Sequence, residues 1–241
     1  DREILQRTLD MLAAHPEHLG RLESCHVNIS AQSVAKPEFR AFVASAIRDS
    51  GVPGEKLCFE VTETAAVSNL DEARAFIAVV QALGCEVALD DFGSGMSSFG
   101  YLRNMPIDYL KIDGSFVKNL ANDRVDSAMV KSIHEVCRVM GIRSIAEWVE
   151  DAATLAELTR IGVDFAQGFG VRKPVPLADI LCGETESPRI GDRGDAQAAG
   201  HDDGHAGGRD GGHDIAHDLQ SHHAPARQAV AAAKDPVIAM S

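Results

Sequence analysis

Two hydrophobic patterns alternate along the chain from residue 1 to about residue 167. In 57–62 large apolar residues alternate with smaller or polar ones, as in a strand, whereas 70–83 repeats apolar residues at helical spacing. The first pattern predicts strands at 25–30, 57–62, 85–90, 107–112, 144–147 and 163–167. The second predicts helices at 1–22, 37–49, 70–83, 97–103, 125–140 and 152–160.

This order of elements predicts the fold class. Strands that alternate with helices form right-handed βαβ units around a parallel sheet. At least six such units fit into fewer than 190 residues. We therefore predict an α/β fold, a TIM-type (β/α) barrel rather than a short open sheet, although the spacing alone is compatible with both.

The alternation ends near Gly183, so we divide the chain into a barrel domain at 1–183 and a tail at 184–241. Residues 184–225 are rich in Gly, Asp and His and have almost no large apolar groups, which predicts disorder. Six of the ten histidines lie there, and they either bind zinc or nickel adventitiously or are simply solvated. Residues 228–240 could form a weak helix.

Composition narrows the class of protein. The formal net charge of -13 argues against a nucleic-acid-binding surface, so no DNA partner is expected. No apolar run approaches the roughly 20 residues of a membrane span. The five cysteines form no CxxC pair, as expected of reduced core residues in a cytoplasmic protein. The start at Asp1, already in a helical pattern, suggests a piece of a longer protein.

Polar residues recur at the carboxyl ends of the predicted strands. Side chains alternate between the two faces of a strand, so Glu60 opposes the apolar Phe59 and Val61. The same alternation gives one inward polar residue on each of five strands: Asn28, Glu60, Asp90, Lys111 and Glu147. Polar groups at this end of barrel strands build the active sites of TIM-barrel enzymes.

These residue types predict a metal site. Carboxylate and amide oxygens favour Mg²⁺ or Mn²⁺ over zinc. So many carboxylates around one cavity, including Asp91 beside Asp90, require more than one divalent ion to remain ionised. Two ions can activate a water and hold a phosphodiester. Lys111 then supplies a positive charge that orients the water or stabilises a phosphate oxygen.

Each residue also has a plainer interpretation. An inward Asn28 or Glu60 can be a satisfied polar group of the core. The pair Asp90-Asp91 can be an acidic turn that caps the next helix, and Lys111 can be a counter-ion of Asp90 or Asp113. Similarly, Glu63 can cap the segment after its strand, and Gly93 and Gly95 can serve only a tight turn. Their joint occurrence favours the metal site.

Six motifs occur in the order found in one known family. They are Val27-Asn28-Ile29-Ser30, Glu60-Val61-Thr62-Glu63, Asp90-Asp91-Phe92-Gly93-Ser94-Gly95, Tyr109-Leu110-Lys111-Ile112-Asp113, Ala146-Glu147-Trp148-Val149-Glu150 and Gln167-Gly168. With these motifs the chain resembles the EAL-domain family of bacterial cyclic-di-GMP phosphodiesterases. The resemblance extends from the first helix to about Pro176.

The resemblance implies a modified TIM barrel that linearises cyclic di-GMP to 5′-pGpG with two Mg²⁺ or Mn²⁺ ions. The implied metal ligands are Asn28, Glu60, Asp90, Asp91 and Glu147, with Asp90 in the bridging place. Lys111 matches the lysine that contacts the attacking water, and Glu147 also matches a proposed general base. The resemblance also implies that Glu63, Asp113, Glu150 and Gln167 contact the metal ligands, the substrate or a water. The loop after the paired aspartates comprises Gly93, Ser94 and Gly95, is fixed by Glu63, and is linked to dimerisation.

The chain also departs from the family pattern. The first strand, which carries the Glu-Ala-Leu signature, is absent, and with it one metal ligand and an arginine expected to bind substrate phosphate. We therefore expect an N-terminally truncated barrel with an active parent, and the fragment alone need not be active. Ser94 and Met96 stand where Thr and Tyr are commoner. Trp148 replaces a usual Gly and either crowds the metal site or packs outward. The expected partners are cyclic di-GMP, a GGDEF or sensory domain upstream, and a second copy of the chain in a homodimer. The alternatives are a non-catalytic cyclic-di-GMP receptor and a protein-interaction module.

Overall fold

The predicted sheet is present, and every pair of neighbouring strands in it is parallel. The structure, a computed structural model, describes residues 1–94, 99–181 and 238–240. Within these residues the strands are β1 (Cys25–Asn28), β2 (Leu57–Thr62), β3 (Glu86–Phe92), β4 (Tyr109–Ile112), β5 (Arg143–Ala146), β6 (Phe165–Ala166) and β7 (Ile238–Met240). Their order in the sheet is β6-β5-β4-β3-β2-β1-β7. The first six strands are thus neighbours in chain order.

Helices connect these strands at the predicted places, together with four short helices among the described residues that the spacing does not predict, at Ala31–Val34, Glu63–Ser68, Gly114–Val117 and Leu177–Leu181. The helices are α1 (Arg2–Ala14), α2 (Pro16–Leu19), α3 (Ala31–Val34), α4 (Pro37–Ser50), α5 (Glu63–Ser68), α6 (Leu70–Gln81), α7 (Phe99–Leu102), α8 (Gly114–Val117), α9 (Arg124–Met140), α10 (Ala152–Ile161) and α11 (Leu177–Leu181), with a 3-10 turn at Gly54–Lys56. Capping side chains fix where several of them begin. Thr62 accepts a hydrogen bond from the Ala65 amide at the start of α5, and Asp151 accepts one from the Thr154 amide at the start of α10. At each of these caps the preceding strand or loop ends and the chain begins a helix that packs on the sheet.

Two predicted elements differ from the structure. The helix predicted at 1–22 is broken at His15, which has φ −129° and ψ 60°, because the residue before a proline is driven out of the helical region. The weak helix predicted at 228–240 is wrong at its end, since Ile238–Met240 forms a strand. This strand lies beside β1, with Cys25 level with Ile238, on the edge of β1 that would otherwise lack a partner. Apart from this strand, the predicted disordered tail at 184–241 lies outside the described residues.

The sheet is curled rather than flat. On its inner face Cys58, Ala88, Tyr109 and Ile145 form a small apolar cluster, against which Phe165 packs. The ring centroids of His26 on β1 and Tyr109 on β4 are 5.4 Å apart. In a flat sheet these strands would be separated by three spacings, about 14 Å. The contact therefore requires curvature, as in a partial barrel.

The outer face of the sheet carries the larger apolar core. Phe59, Leu89 and Leu110 point this way and are buried under the helices. The predicted apolar-out, polar-in alternation is thus confirmed. The four described cysteines are buried free thiols, as predicted, and Cys182 lies outside the described residues. No helix in the described part of the chain is long and apolar enough to cross a bilayer.

Phe76 on α6 tests this outer core. It is fully buried, with its ring edge-to-face on Phe59 at 5.8 Å and stacked on Phe39 at 6.3 Å. We expect Phe76→Ala to lower the free energy of unfolding by about 3–5 kcal/mol, as measured by urea denaturation. Val139→Ala, at a position that is 75% exposed, is the control and should change it by less than about 0.5 kcal/mol. Equal effects of the two substitutions would contradict the packing.

Candidate functional site

The carboxyl ends of the first five strands gather the predicted polar residues. Asn28 ends β1 and is level with Glu60 on β2. Asp90 lies on β3, Lys111 lies on β4, and Glu147 directly follows β5. Except for Asn28, each is two positions beyond a member of the inner apolar cluster, so these side chains share its face. The polar side chains of the site therefore lie directly beside the inner apolar cluster, toward the carboxyl ends of the strands.

Lys111 is the centre of this arrangement. Its Nζ lies 2.8 Å from Glu60 Oε2, 2.9 Å from Asp90 Oδ1 and 2.8 Å from Glu147 Oε1, and the residue is 3% exposed. Burial lowers the pKa of Lys111, but the charges of Glu60, Glu147 and Asp90 outweigh burial and raise the pKa above its usual value. The ammonium on β4 therefore remains charged and contacts carboxylates on β2, on β3 and directly after β5.

Asp91 reaches the same place through an irregularity of β3. Regular alternation would turn Asp91 away from Asp90, but the register of β3 against β4 shifts between Leu89 and Phe92. Asp91 also has a left-handed φ of 56°. As a result, Asp90, Asp91 and Glu147 each offer an oxygen within 4.8 Å of the others.

This acidic group fits a hard divalent cation. Burial raises the pKa of Glu147 to about 7, with the charge of Asp90 adding to the rise and Lys111 opposing it. Burial and the charges of Asp90 and Asp113 likewise raise the pKa of Asp91. The carboxylates of Glu60, Asp90 and Glu147 surround the single positive charge of Lys111, and a divalent cation would relieve the excess of negative charge. The oxygen-only donors suit Mg²⁺ or Mn²⁺.

Glu60 lies deeper than this acidic group and is 1% exposed. The structure joins it to the group through Lys111 and holds its other oxygen at 2.7 Å from His26 Nδ1. Burial works to raise the pKa of Glu60, but the His26 hydrogen bond and the charge of Lys111 outweigh burial and lower it. The sequence reasoning missed His26, although His26 precedes Asn28 by two positions and so shares the inner face.

Glu63, predicted to fix the loop after the paired aspartates, does contact it. The carboxylate is buried and accepts hydrogen bonds from the Gly93 amide at 3.0 Å and from the Tyr101 hydroxyl at 2.5 Å. Gly93 has φ +101°, and a Cβ there would lie 2.3 Å from the Phe116 ring, so only glycine fits. The Ser94 hydroxyl donates to the Asp91 carbonyl, and Gly95 lies outside the described residues.

The remaining predicted residues, Asp113, Glu150 and Gln167, differ in their surroundings. Asp113 caps α8 by accepting a hydrogen bond from the Ser115 amide. Glu150 is exposed. In Gln167 the Oε1 atom is buried and has no hydrogen-bond partner among the described residues, which leaves an acceptor available.

Trp148 packs outward and does not crowd the acidic group. The residue is 54% exposed, and Lys118 Nζ lies 3.9 Å above the centre of its ring. The side chain covers Gly114, where an added Cβ would lie 2.2 Å from the indole. Trp148 has φ 55°, a conformation that glycine adopts with less strain.

Known proteins resemble this chain both in sequence and in fold. The family model of the EAL domain matches residues 1–174. Cyclic di-GMP phosphodiesterase PdeB of Shewanella oneidensis is 40% identical over 178 residues, which cover 74% of this chain and 21% of PdeB. This chain spans 21%, 22% and 24% of the lengths of three curated relatives.

Solved structures agree with the curled parallel sheet. The PaMucR phosphodiesterase in complex with c-di-GMP aligns over 74% of this chain and 72% of its own, with a TM-score of 0.69 and 30% identity. The EAL domain of Mycobacterium smegmatis DcpA aligns over 75% and 82%, with a TM-score of 0.70 and 29% identity. The predicted barrel class is confirmed.

The Tyr101–Glu63 hydrogen bond gives a prediction for the loop. Tyr101→Phe removes the hydroxyl donor of a buried carboxylate, and we expect a loss of about 1–3 kcal/mol in unfolding free energy. Hydrogen exchange at the Gly93 amide should also become faster, because Glu63 is then held less firmly. Tyr109→Phe removes a hydroxyl that donates to Glu86 at the other end of the barrel, and it should leave Gly93 exchange unchanged. Unchanged Gly93 exchange in Tyr101→Phe would refute the link.

Proposed function

The chain belongs to the EAL domain family, and we propose that its site hydrolyses cyclic di-GMP to linear 5′-pGpG in bacterial second-messenger signalling. The observation that carries the proposal is the carboxylate set around Lys111 at the carboxyl ends of the strands. The name of the relative PdeB and the c-di-GMP complex of PaMucR support this substrate. An upstream GGDEF or sensory domain and a homodimer stay predictions.

We assign the cation-binding role to the residues that the resemblance implies. Asp90, Asp91 and Glu147 already converge, and Glu60 and Asn28 lie level with each other on the neighbouring strands β2 and β1. When bound, two Mg²⁺ or Mn²⁺ ions would polarise the phosphodiester and lower the pKa of the attacking water. Asp90 would contribute to holding both ions, as the resemblance implies.

In this proposal Lys111 supplies positive charge once one of its carboxylate contacts is released. Each of its three N–H donors has a carboxylate partner, Glu60, Asp90 or Glu147. One of these contacts must therefore be released before the ammonium donates to a water or to a phosphate oxygen. Cations that attract the carboxylates would release it, so metal binding and the availability of Lys111 are coupled.

The bond changes are those of a phosphodiester hydrolysis. A water oxygen adds to one phosphorus, the bond from that phosphorus to the 3′ oxygen breaks, and the departing oxygen is protonated. Glu147 matches the residue proposed as general base in the resembling family, and it faces the site directly after β5, with Oε1 2.8 Å from Lys111 Nζ. The free Oε1 of Gln167 can hold a water nearby by accepting a hydrogen bond.

A direct assay tests the proposal. Purified protein is incubated with cyclic di-GMP and Mn²⁺, and the products are separated by chromatography. Formation of 5′-pGpG that EDTA stops is the expected result. Nucleotide binding without product would instead favour the non-catalytic receptor, and calorimetry that shows no binding would favour the protein-interaction module.

Asp90→Asn is the sharpest substitution in this site. The amide keeps the size of the side chain but removes the charge that a cation needs, so we expect kcat/KM with Mn²⁺ to fall by at least about a hundredfold. Unchanged far-UV circular dichroism should show that the fold is intact. Asp71→Asn removes the same charge from a side chain that is 96% exposed, and it should leave activity at the wild-type level. Near-normal turnover in Asp90→Asn would refute the assignment.

A further inference from the structure

His26 is a buried polar residue that the family motifs do not include. Its side chain is fully buried on the inner face of β1, where the ring lies 5.4 Å from the Tyr109 ring. Nδ1 lies 2.7 Å from Glu60 Oε1, and both side chains are 0% exposed. The other ring nitrogen, Nε2, is buried without a hydrogen-bond partner in the described part of the chain.

The direction of this hydrogen bond follows from the charge of Glu60. Lys111 Nζ lies 2.8 Å from Glu60 Oε2, so Glu60 is a carboxylate paired with an ammonium and can only accept hydrogen bonds. His26 must then carry its proton on Nδ1. With His26 on Oε1 and Lys111 on Oε2, Glu60 is fixed at both oxygens and cannot rotate freely about its last bond.

The unpaired Nε2 indicates that His26 does more than fill space. A buried polar atom without a partner costs stability, whereas an apolar residue of similar size would pack on Tyr109 and the inner cluster at no such cost. The position nevertheless carries a histidine, and the hydrogen bond of its side chain is to Glu60. Hydrogen bonds to a ligating carboxylate orient it and tune its affinity for the metal.

We propose that His26 is a positioning residue that holds Glu60 by Oε1, so that Oε2 faces Lys111 and the cations of the site. This role rests on the proposed function for its metal site, though not for its substrate. His26 touches neither substrate nor cation in this account, and it acts only through Glu60.

Two substitutions separate positioning from packing. His26→Leu keeps the approximate volume and removes the donor, whereas His26→Asn places an amide N–H near the position of Nδ1. His134→Leu is the matched control, because His134 is also buried and uses Nδ1, but it bonds Ser144 at the amino end of β5. Circular dichroism and thermal melts establish that each variant is folded.

Mn²⁺ affinity, measured by calorimetry without nucleotide, is the main readout. We expect His26→Leu to weaken binding about 10–100-fold, with His26→Asn within about threefold of wild type and His134→Leu unchanged. Wild-type affinity in His26→Leu would overturn the proposal. It would also fail if His26→Asn bound as weakly as His26→Leu, or if the wild-type protein bound no Mn²⁺.

A second readout needs neither metal nor a folded variant at position 26. Nitrogen NMR of the wild-type protein with labelled histidine should show His26 protonated at Nδ1, and Glu60→Gln should shift that resonance. A proton on Nε2 alone would overturn the proposal. Normal Mn²⁺ binding and the expected His26 effects, with no 5′-pGpG formed, would refute the hydrolysis and leave the positioning role intact.

Discussion

The contact of one ammonium with three carboxylates is the constraint on which the rest of this site depends. Bringing Glu60, Asp90 and Glu147 together out of water would be strongly unfavourable without a cation among them. Lys111 supplies that cation from β4, between the strands that carry the acids. Their negative charge still exceeds its single positive charge. The same contacts that allow the site to fold therefore leave it suited to further cations.

The curvature of the sheet follows from the same contacts. Lys111 on β4 meets Glu60 on β2 at 2.8 Å, across the intervening β3. Cys58 and Ala88, two positions before Glu60 and Asp90 on the inner face, are small and so leave room for the sheet to curl. At the amino end the Arg143 guanidinium lies 3.9 Å above the Tyr109 ring and pairs with Glu86. An apolar layer thus separates two polar ends of the described sheet, and at the carboxyl end three carboxylates meet one ammonium.

Much of this arrangement follows from the sequence, because strand alternation is a local property. Because side chains alternate along a strand, Glu60 and Lys111 each lie opposite the large apolar residues of their own strand, regardless of the rest of the chain. Alternation could not place Asp91, which reaches the acidic group only through a register shift and a left-handed φ. Nor could it connect Tyr101 to Glu63, since 38 residues separate them. His26 was missed for a different reason: the alternation marked its face, but nothing local showed its partner.

The two non-glycine residues with positive φ among the described residues shape the acidic group. They are Asp91 and Trp148, and each directly follows an inward carboxylate, Asp90 or Glu147. Such a conformation costs about 1–3 kcal/mol and persists where the surroundings impose it. Here Lys118 and Gly114 hold the Trp148 ring on the outside. At Asp91 the left-handed φ brings a second carboxylate beside Asp90, and at Trp148 it accompanies an indole that packs away from Glu147. The strain is thus located beside the oxygens that a cation-binding site requires.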